Sequence, residues 1–383
     1  MSAETAVSAP SEPSVPDRPK AARLASIDAL RGFDMFWIIG GENFVPAVAA
    51  FFGWSRLHGI LLRNLEHAKW NGFTAYDLIF PLFLLLSGAT MSFSLTRRLE
   101  QGERKWVLFW RIFRRMALLI LLGMASQGLF KLKGHDQRYA SVLGLIGVAY
   151  FWAGLVVINR GVRGQILWAA GILVGYWAAM TLIPVPGVGP GVLTPEGYLG
   201  GYIDRHLLPG KLYAKIYDPE GLFVTIPAAA LALMGALAGH LLRSNIVSGG
   251  RKALFLCSAG VVSMALGWLW GRWFPINKQM WTSSFILFAG GLSLVLLALF
   301  YLAIDVWGWR KWAFPFIVIG MNPITIYVGA HFINFRFTSD ALFAGLARLS
   351  GESLEPVVSL LGLLAVEWAF LYFLYRKRIF LRA

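Results

Sequence analysis

A histidine crowded by polar neighbours, just ahead of a long apolar run, is the first place in this sequence where chemistry is legible. His67 lies among Glu66, Lys69, Trp70 and Asn71, and Asp77 opens the apolar run that follows. Imidazole titrates around neutral pH, so such a residue can act as a general base; an ordinary surface histidine is the competing reading. Asp77 falls in the first turns of a helix, where the positive end of the helix dipole favours a carboxylate, and a carboxylate there can also orient a nearby imidazole. A second cluster comes earlier, with Asp28, Arg31 and Asp34 spaced i, i+3 on one helical face. Guanidinium suits bidentate recognition of phosphate, which makes Arg31 a candidate for an anionic cofactor, while an interfacial ion-pair cluster is the alternative. Glu42 and Asn43 follow three turns on, placed to bind a polar substrate or to cap the helix.

The elements that must position these residues are transmembrane helices. Of the 383 residues 57% are hydrophobic and 14% charged, far below the charge of a soluble domain. Apolar stretches long enough to cross a bilayer cover approximately 27–52, 74–96, 107–127, 140–159, 165–183, 222–242, 253–273, 282–304, 313–334 and 355–375. The expected fold is therefore all-α, a polytopic membrane bundle of about ten helices. With the N-terminus inside, 22 of the 35 Lys and Arg residues fall on the cytoplasmic side, which favours an N-in, C-in orientation. The net charge of +15 is accounted for by these basic flanks facing anionic lipid, so a nucleic-acid role is set aside. Residues 1–22, rich in Ala, Ser, Pro and Glu, read as a disordered cytoplasmic tail, leaving 23–383 as one membrane domain whose first span is an uncleaved anchor. The single cysteine, Cys257, excludes an internal disulfide.

Glycines at four-residue spacing, Gly171/Gly175, Gly235/Gly239 and Gly267/Gly271, are expected to let helix backbones approach closely. The outward loops 53–73, 184–221 and 275–281 collect polar and aromatic residues on one face, where a rigid scaffold usually places binding and chemistry. No zinc-protease, nucleotide-loop or serine-hydrolase motif occurs in usable context, and no metal is expected.

Five blocks in order carry a resemblance to a known family: 23–32, 67–81 from His67 through Trp70, Asn71 and Asp77 to Pro81, 218–222 from Asp218 to Leu222, 275–284 with Asn277 and Lys278, and 320–329 with Asn322. Over nearly the whole membrane part the chain resembles the heparan-alpha-glucosaminide N-acetyltransferases and their bacterial relatives associated with N-acetylglucosamine use. The resemblance implies an inner-membrane acyltransferase that moves an acetyl group from cytoplasmic acetyl-CoA to the amine of a glucosamine-type sugar or glycan fragment outside. It implies that His67 is catalytic, either as general base or as an acetyl carrier, with Asp77 beside it. Arg31, Arg114 and Arg115 become candidates for the nucleotide end of the cofactor. Glu42, Asn43, Trp70, Asn71, Asn277, Lys278 and Asn322 become candidates for the sugar or thioester end.

One departure stands out. Many relatives carry a Gln-Arg pair near the start of the fourth span, where this chain has Gly144 and Leu145. A cofactor held by that arginine in relatives must be held differently here. The principal rival is an amino-sugar or N-acetylglucosamine permease on the same scaffold, without chemistry; a structural or regulatory membrane subunit is a third reading. Apolar faces and small-residue motifs make a homodimer a reasonable arrangement.

Overall fold

The computed structural model describes residues 24–131 and 136–381, and the expected tail at 1–22 lies outside them. In chain order the helices are α1 (Ala25–Phe36), α2 (Glu42–Phe51), α3 (Ser55–Asn64), α4 (Ile79–Met91), α5 (Arg97–Glu100), α6 (Lys105–Ser126), α7 (Val142–Asn159) and α8 (Val162–Leu182). They continue as α9 (Leu199–Leu207), α10 (Thr225–Arg243), α11 (Gly249–Trp270), α12 (Ser283–Tyr301), α13 (Phe314–Met321), α14 (Pro323–Phe332), α15 (Phe335–Leu349) and α16 (Glu355–Arg376). No β-strand occurs among the described residues.

Among the described residues, seven helical stretches are long and apolar enough to cross a membrane: 75–100, 142–159, 162–182, 225–243, 249–270, 283–306 and 355–376. An eighth results if α13 and α14, bent by 69° at Asn322, form one broken span. The first and third expected spans fall short of the same standard for different reasons. The first is interrupted between α1 and α2 at Gly40, whose φ of 140° interrupts the regular helix and suits a residue without a Cβ. The third, α6, is a continuous helix of 22 residues, but Arg111, Arg114 and Arg115 interrupt its apolar character.

Helices α4 and α10 form the centre of the bundle because both are apolar on every face, the pattern of a helix that meets neighbours all round. They are in backbone contact. A Cβ on Gly88 would lie 2.0 Å from the Ala232 carbonyl oxygen, and one on Gly235 would lie 2.0 Å from that of Leu85. Gly239 meets the Ala89 carbonyl in the same way, and Gly267 of α11 sits on the Ser284 carbonyl of α12. Gly171 and Gly175 of α8 differ: nothing lies within 4 Å of the Cβ either would carry, so their spacing packs no neighbour. The peripheral helices α8, α11 and α16 turn large apolar side chains outward, as lipid-facing helices do.

One end of the bundle is capped by the segment between α8 and α10. Tyr176, Met180, Val185, Tyr198, Leu199, Phe274 and Met280 form a separate apolar cluster there. This cap fixes the loops that carry the polar residues. The buried Trp281 donates its indole N–H to the Pro219 carbonyl (3.1 Å), tying the 275–282 turn to the loop before α10.

Candidate active site

The His67 loop is held by the start of its own helix. Thr74 and Asp77 form a capping box around the single turn Ala75–Leu78: the Asp77 carboxylate accepts the Thr74 backbone N–H (3.0 Å) and hydroxyl (3.1 Å). The Thr74 hydroxyl also lies 2.7 Å from the Glu66 carbonyl, which brings the chain before His67 back onto the cap. The other Asp77 oxygen, Oδ1, meets His67 Nδ1 at 2.8 Å. Asp77 is buried, its side chain 1% exposed, whereas the His67 ring remains 40% exposed. Tyr76 packs against that ring with centroids 4.8 Å apart, and the Glu42 carboxylate of α2 is near enough to act on the Tyr76 hydroxyl.

Lys278 reaches this pair from the opposite loop. Its Nζ lies 2.9 Å from His67 Nε2, 3.0 Å from Nδ1 and 3.9 Å from Asp77 Oδ1. With the Nδ1 proton donated to Asp77, Nε2 is the lone pair that accepts from the lysine. Burial holds the Lys278 amine below its ordinary range, against the opposing pull of the Asp77 and Glu220 carboxylates. The lysine is positioned by its neighbours. Asn277 accepts the Met280 N–H (2.9 Å) and donates to the Asn71 side chain (3.1 Å), while Gly72 N–H donates to the Ile276 carbonyl (2.8 Å). Asn71 and Asn277 thus lock two loops together.

His67, Lys278 and Tyr76 open onto a cavity of about 210 Å³ whose other walls are mainly apolar, from Met35, Ile38, Phe80, Phe83, Val142, Ile146 and Ile324. Behind it lies a second cavity, of about 550 Å³, with a different character: Arg31, Arg98, Arg111, Arg114 and Arg115 line it together with Ser87, Thr90 and Ser94. Phe83 and Ile324 line both. Arg98 and Arg111 each pair with Glu103, at 3.0 and 2.9 Å, and Arg31 lies 3.7 Å from Asp28. Arg115 lies over the Tyr150 ring, 4.0 Å from its centroid. Among the described residues, no group of three or more His, Cys, Asp or Glu is arranged to hold a metal ion.

No protein-family model matches the chain. Two curated relatives match along nearly all of it. The heparan-alpha-glucosaminide N-acetyltransferase of Homo sapiens is 28% identical, covering 94% of this chain and 59% of the relative. The mouse (Mus musculus) protein of the same name is 27% identical, covering 95% of this chain and 61% of its own length. Along nearly its whole length this chain is similar to heparan-alpha-glucosaminide N-acetyltransferases. It spans about three fifths of the length of those relatives.

The structure brings His67, Asp77 and Lys278 into direct contact, and it gathers Arg31, Arg114 and Arg115 around one cavity. Other candidates stand elsewhere. Trp70 donates its indole N–H to the Leu193 carbonyl (2.9 Å) and packs on Tyr198 and Tyr217 in the cap. Asn43 is exposed on α2, and Glu42, at the start of α2, lies near Tyr76 without lining the cavity. Asn322 sits at the α13–α14 bend, where it donates to the Ile379 carbonyl (3.0 Å) and accepts the Leu381 N–H (3.2 Å), at the arginine end of the bundle. Asp34 is buried in α1 with its Oδ2 unpartnered.

Gly144 and Leu145 start α7 beside Leu143 and Ile146, at the His67 cavity rather than the basic one. The basic cavity therefore draws its arginines from α1, α5 and α6, without α7. Five residues not selected from the sequence also line the two cavities: Tyr76, Glu220 and Tyr327 the first, Arg98 and Arg111 the second. Asp218 to Leu222 was one of the resembling blocks, so the signal for Glu220 was present, without a role attached to it.

Proposed function

We propose that this chain is a multi-pass inner-membrane acetyltransferase, with about ten spans and both ends cytoplasmic, that moves an acetyl group from acetyl-CoA to the amine of a glucosamine-type sugar. One observation supports this reading above the others. A histidine–carboxylate pair and a cavity of five arginines lie back to back through the bundle, sharing Phe83 and Ile324. Guanidinium groups suit the nucleotide phosphates, and the apolar cavity suits the uncharged arm and its thioester. The basic cavity faces the cytoplasm in the orientation favoured by Lys and Arg, which puts His67 on the outer side. The names of the two relatives support the same chemistry.

His67 acts as the general base. Asp77 accepts the Nδ1 proton and fixes the ring, leaving Nε2 to take a proton from the sugar amine as its nitrogen attacks the thioester carbonyl. The C–N bond forms, the C–S bond breaks, and the proton on His67 passes to the departing thiolate. The Lys278 ammonium, 2.9 Å from Nε2, is placed to stabilise the negative oxygen that develops on the carbonyl.

The test is labelled acetyl-CoA with glucosamine in proteoliposomes, wild type beside His67→Ala. Acetylated sugar is expected from the wild type alone, with acetyl-CoA binding retained by the variant. Sugar crossing the bilayer in both, with acetylated product in neither, would replace the enzyme with a permease.

A further inference from the structure

The carboxylate of Glu220 lies in the wall of the His67 cavity, its side chain 11% exposed. It is held from behind. Arg138 donates through Nε and Nη2 to the two oxygens of the buried Asp218, at 2.8 and 2.6 Å, and Nη2 also donates to Glu220 Oε2. Asp218 in turn accepts the Glu220 backbone N–H at 3.0 Å, so both ends of the residue are fixed. Among the described residues, Glu220 Oε1 has no hydrogen-bond partner. An acceptor oxygen in a mostly apolar cavity, beside a general base, is a strong anchor for a donor group carried by a ligand.

We propose that Glu220 is the docking group for the acceptor's ammonium, and that it selects protonated amino sugars over neutral sugars of the same shape. This rests on the acetyl-transfer reading above, because that reaction needs the amine brought to His67. A glucosamine amine is largely protonated near neutral pH, so the acceptor arrives as a cation; once docked it gives one proton to solvent, and the neutral amine gives its second to His67 as it attacks. Lys278, which lines the same cavity, repels such a cation, so a carboxylate is needed to hold it. Arg138 and Asp218 hold Glu220 in place through its Oε2 and its backbone N–H. Burial pushes the Glu220 carboxyl above its ordinary range while Arg138 and Lys278 pull it back, and an arriving ammonium adds to that pull.

The experiment measures equilibrium binding of glucosamine and of glucose to the full chain in nanodiscs at pH 7, without acetyl-CoA. Wild type is expected to bind glucosamine about tenfold or more tightly than glucose, as for a hydrogen bond to a charged group, and Glu220→Gln is expected to bind the two alike. Undiminished acetyl-CoA binding by Glu220→Gln serves as the check that the variant is folded; if it is not, the wild-type comparison still decides. Equal affinity of the wild type for the two sugars, no measurable binding of glucosamine, or a preference that survives in folded Glu220→Gln would overturn the assignment. Since no acetyl-CoA is present, loss of the transferase reading would show separately, as absence of product in the proteoliposome assay.

Discussion

Phe83 of α4 and Ile324 of α14 each face two cavities, and together they make a partition between a histidine site and an arginine-lined chamber. On the proposed route of the thioester from one cavity to the other, these two shared side chains stand in the way. Phe83→Trp is expected to obstruct that passage while leaving the arginines untouched. Acetyl transfer should fall about a hundredfold, the scale at which small misplacement of reactants is felt, with acetyl-CoA affinity within a few-fold of wild type. Comparing kcat with the dissociation constant for acetyl-CoA checks this.

Asp77 has two duties, orienting His67 and capping its own helix, and Asp77→Asn should disturb both. The rate is expected to fall about 10² to 10⁴-fold, and stability by about 1 kcal/mol. Thermal melting beside steady-state kinetics separates the two effects, since the capping loss alone cannot account for the larger one.

Arg114 and Arg115 project from α6 into the basic chamber. Replacing either with Gln should weaken acetyl-CoA binding about tenfold, with the difference from wild type shrinking as salt is raised. An effect confined to sugar affinity would move the nucleotide elsewhere.

The cap carries a titrating group of its own. Burial raises the Asp204 carboxyl to about 7, even though the Leu222 N–H donates to it, with Asp218 adding to the rise. In the unfolded chain the same group titrates near 3.9. The folded state therefore binds the proton more tightly, and the stability Asp204 contributes at low pH is lost as pH rises from about 4 to about 7. Melting temperatures measured across that range should decline for wild type and change less for Asp204→Asn.

Two glycine substitutions should part company. A Cβ on Gly320 would lie 1.8 Å from the Asp28 carbonyl oxygen of α1, so Gly320→Ala is expected to cost about 3 kcal/mol or more. Gly171 faces open space on α8, and Gly171→Ala should be neutral or stabilising by up to ~1 kcal/mol from helix propensity. Melting of the two variants side by side is sufficient.

The same pair marks where sequence is informative. Apolar length located the long apolar helices because hydrocarbon demands it, while α3, α9 and α15 carried no such signal, and four-residue glycine spacing identified Gly235 and Gly239 as contact points. Gly171 and Gly175 carry the identical spacing and touch nothing, since spacing specifies a stripe and not what lies against it. His67 and Asp77 were legible as a pair because a loop and the helix it enters are local. The lysine that meets them comes from 211 residues further along, and only folding shows that contact. Asn322 is the opposite case: the resembling block 320–329 made it a candidate for the sugar or thioester end, and its partners are backbone groups near the arginines rather than the histidine.

That side chain has a practical bearing. By holding the backbone of Ile379 and Leu381, Asn322 makes Phe380 and Leu381 part of the basic chamber's wall. Whatever is fused just beyond them is thereby attached to a ligand-facing surface. An affinity handle at that position is a perturbation of the chamber, while an environment-sensitive dye at the same position would serve as an optical gauge of its filling.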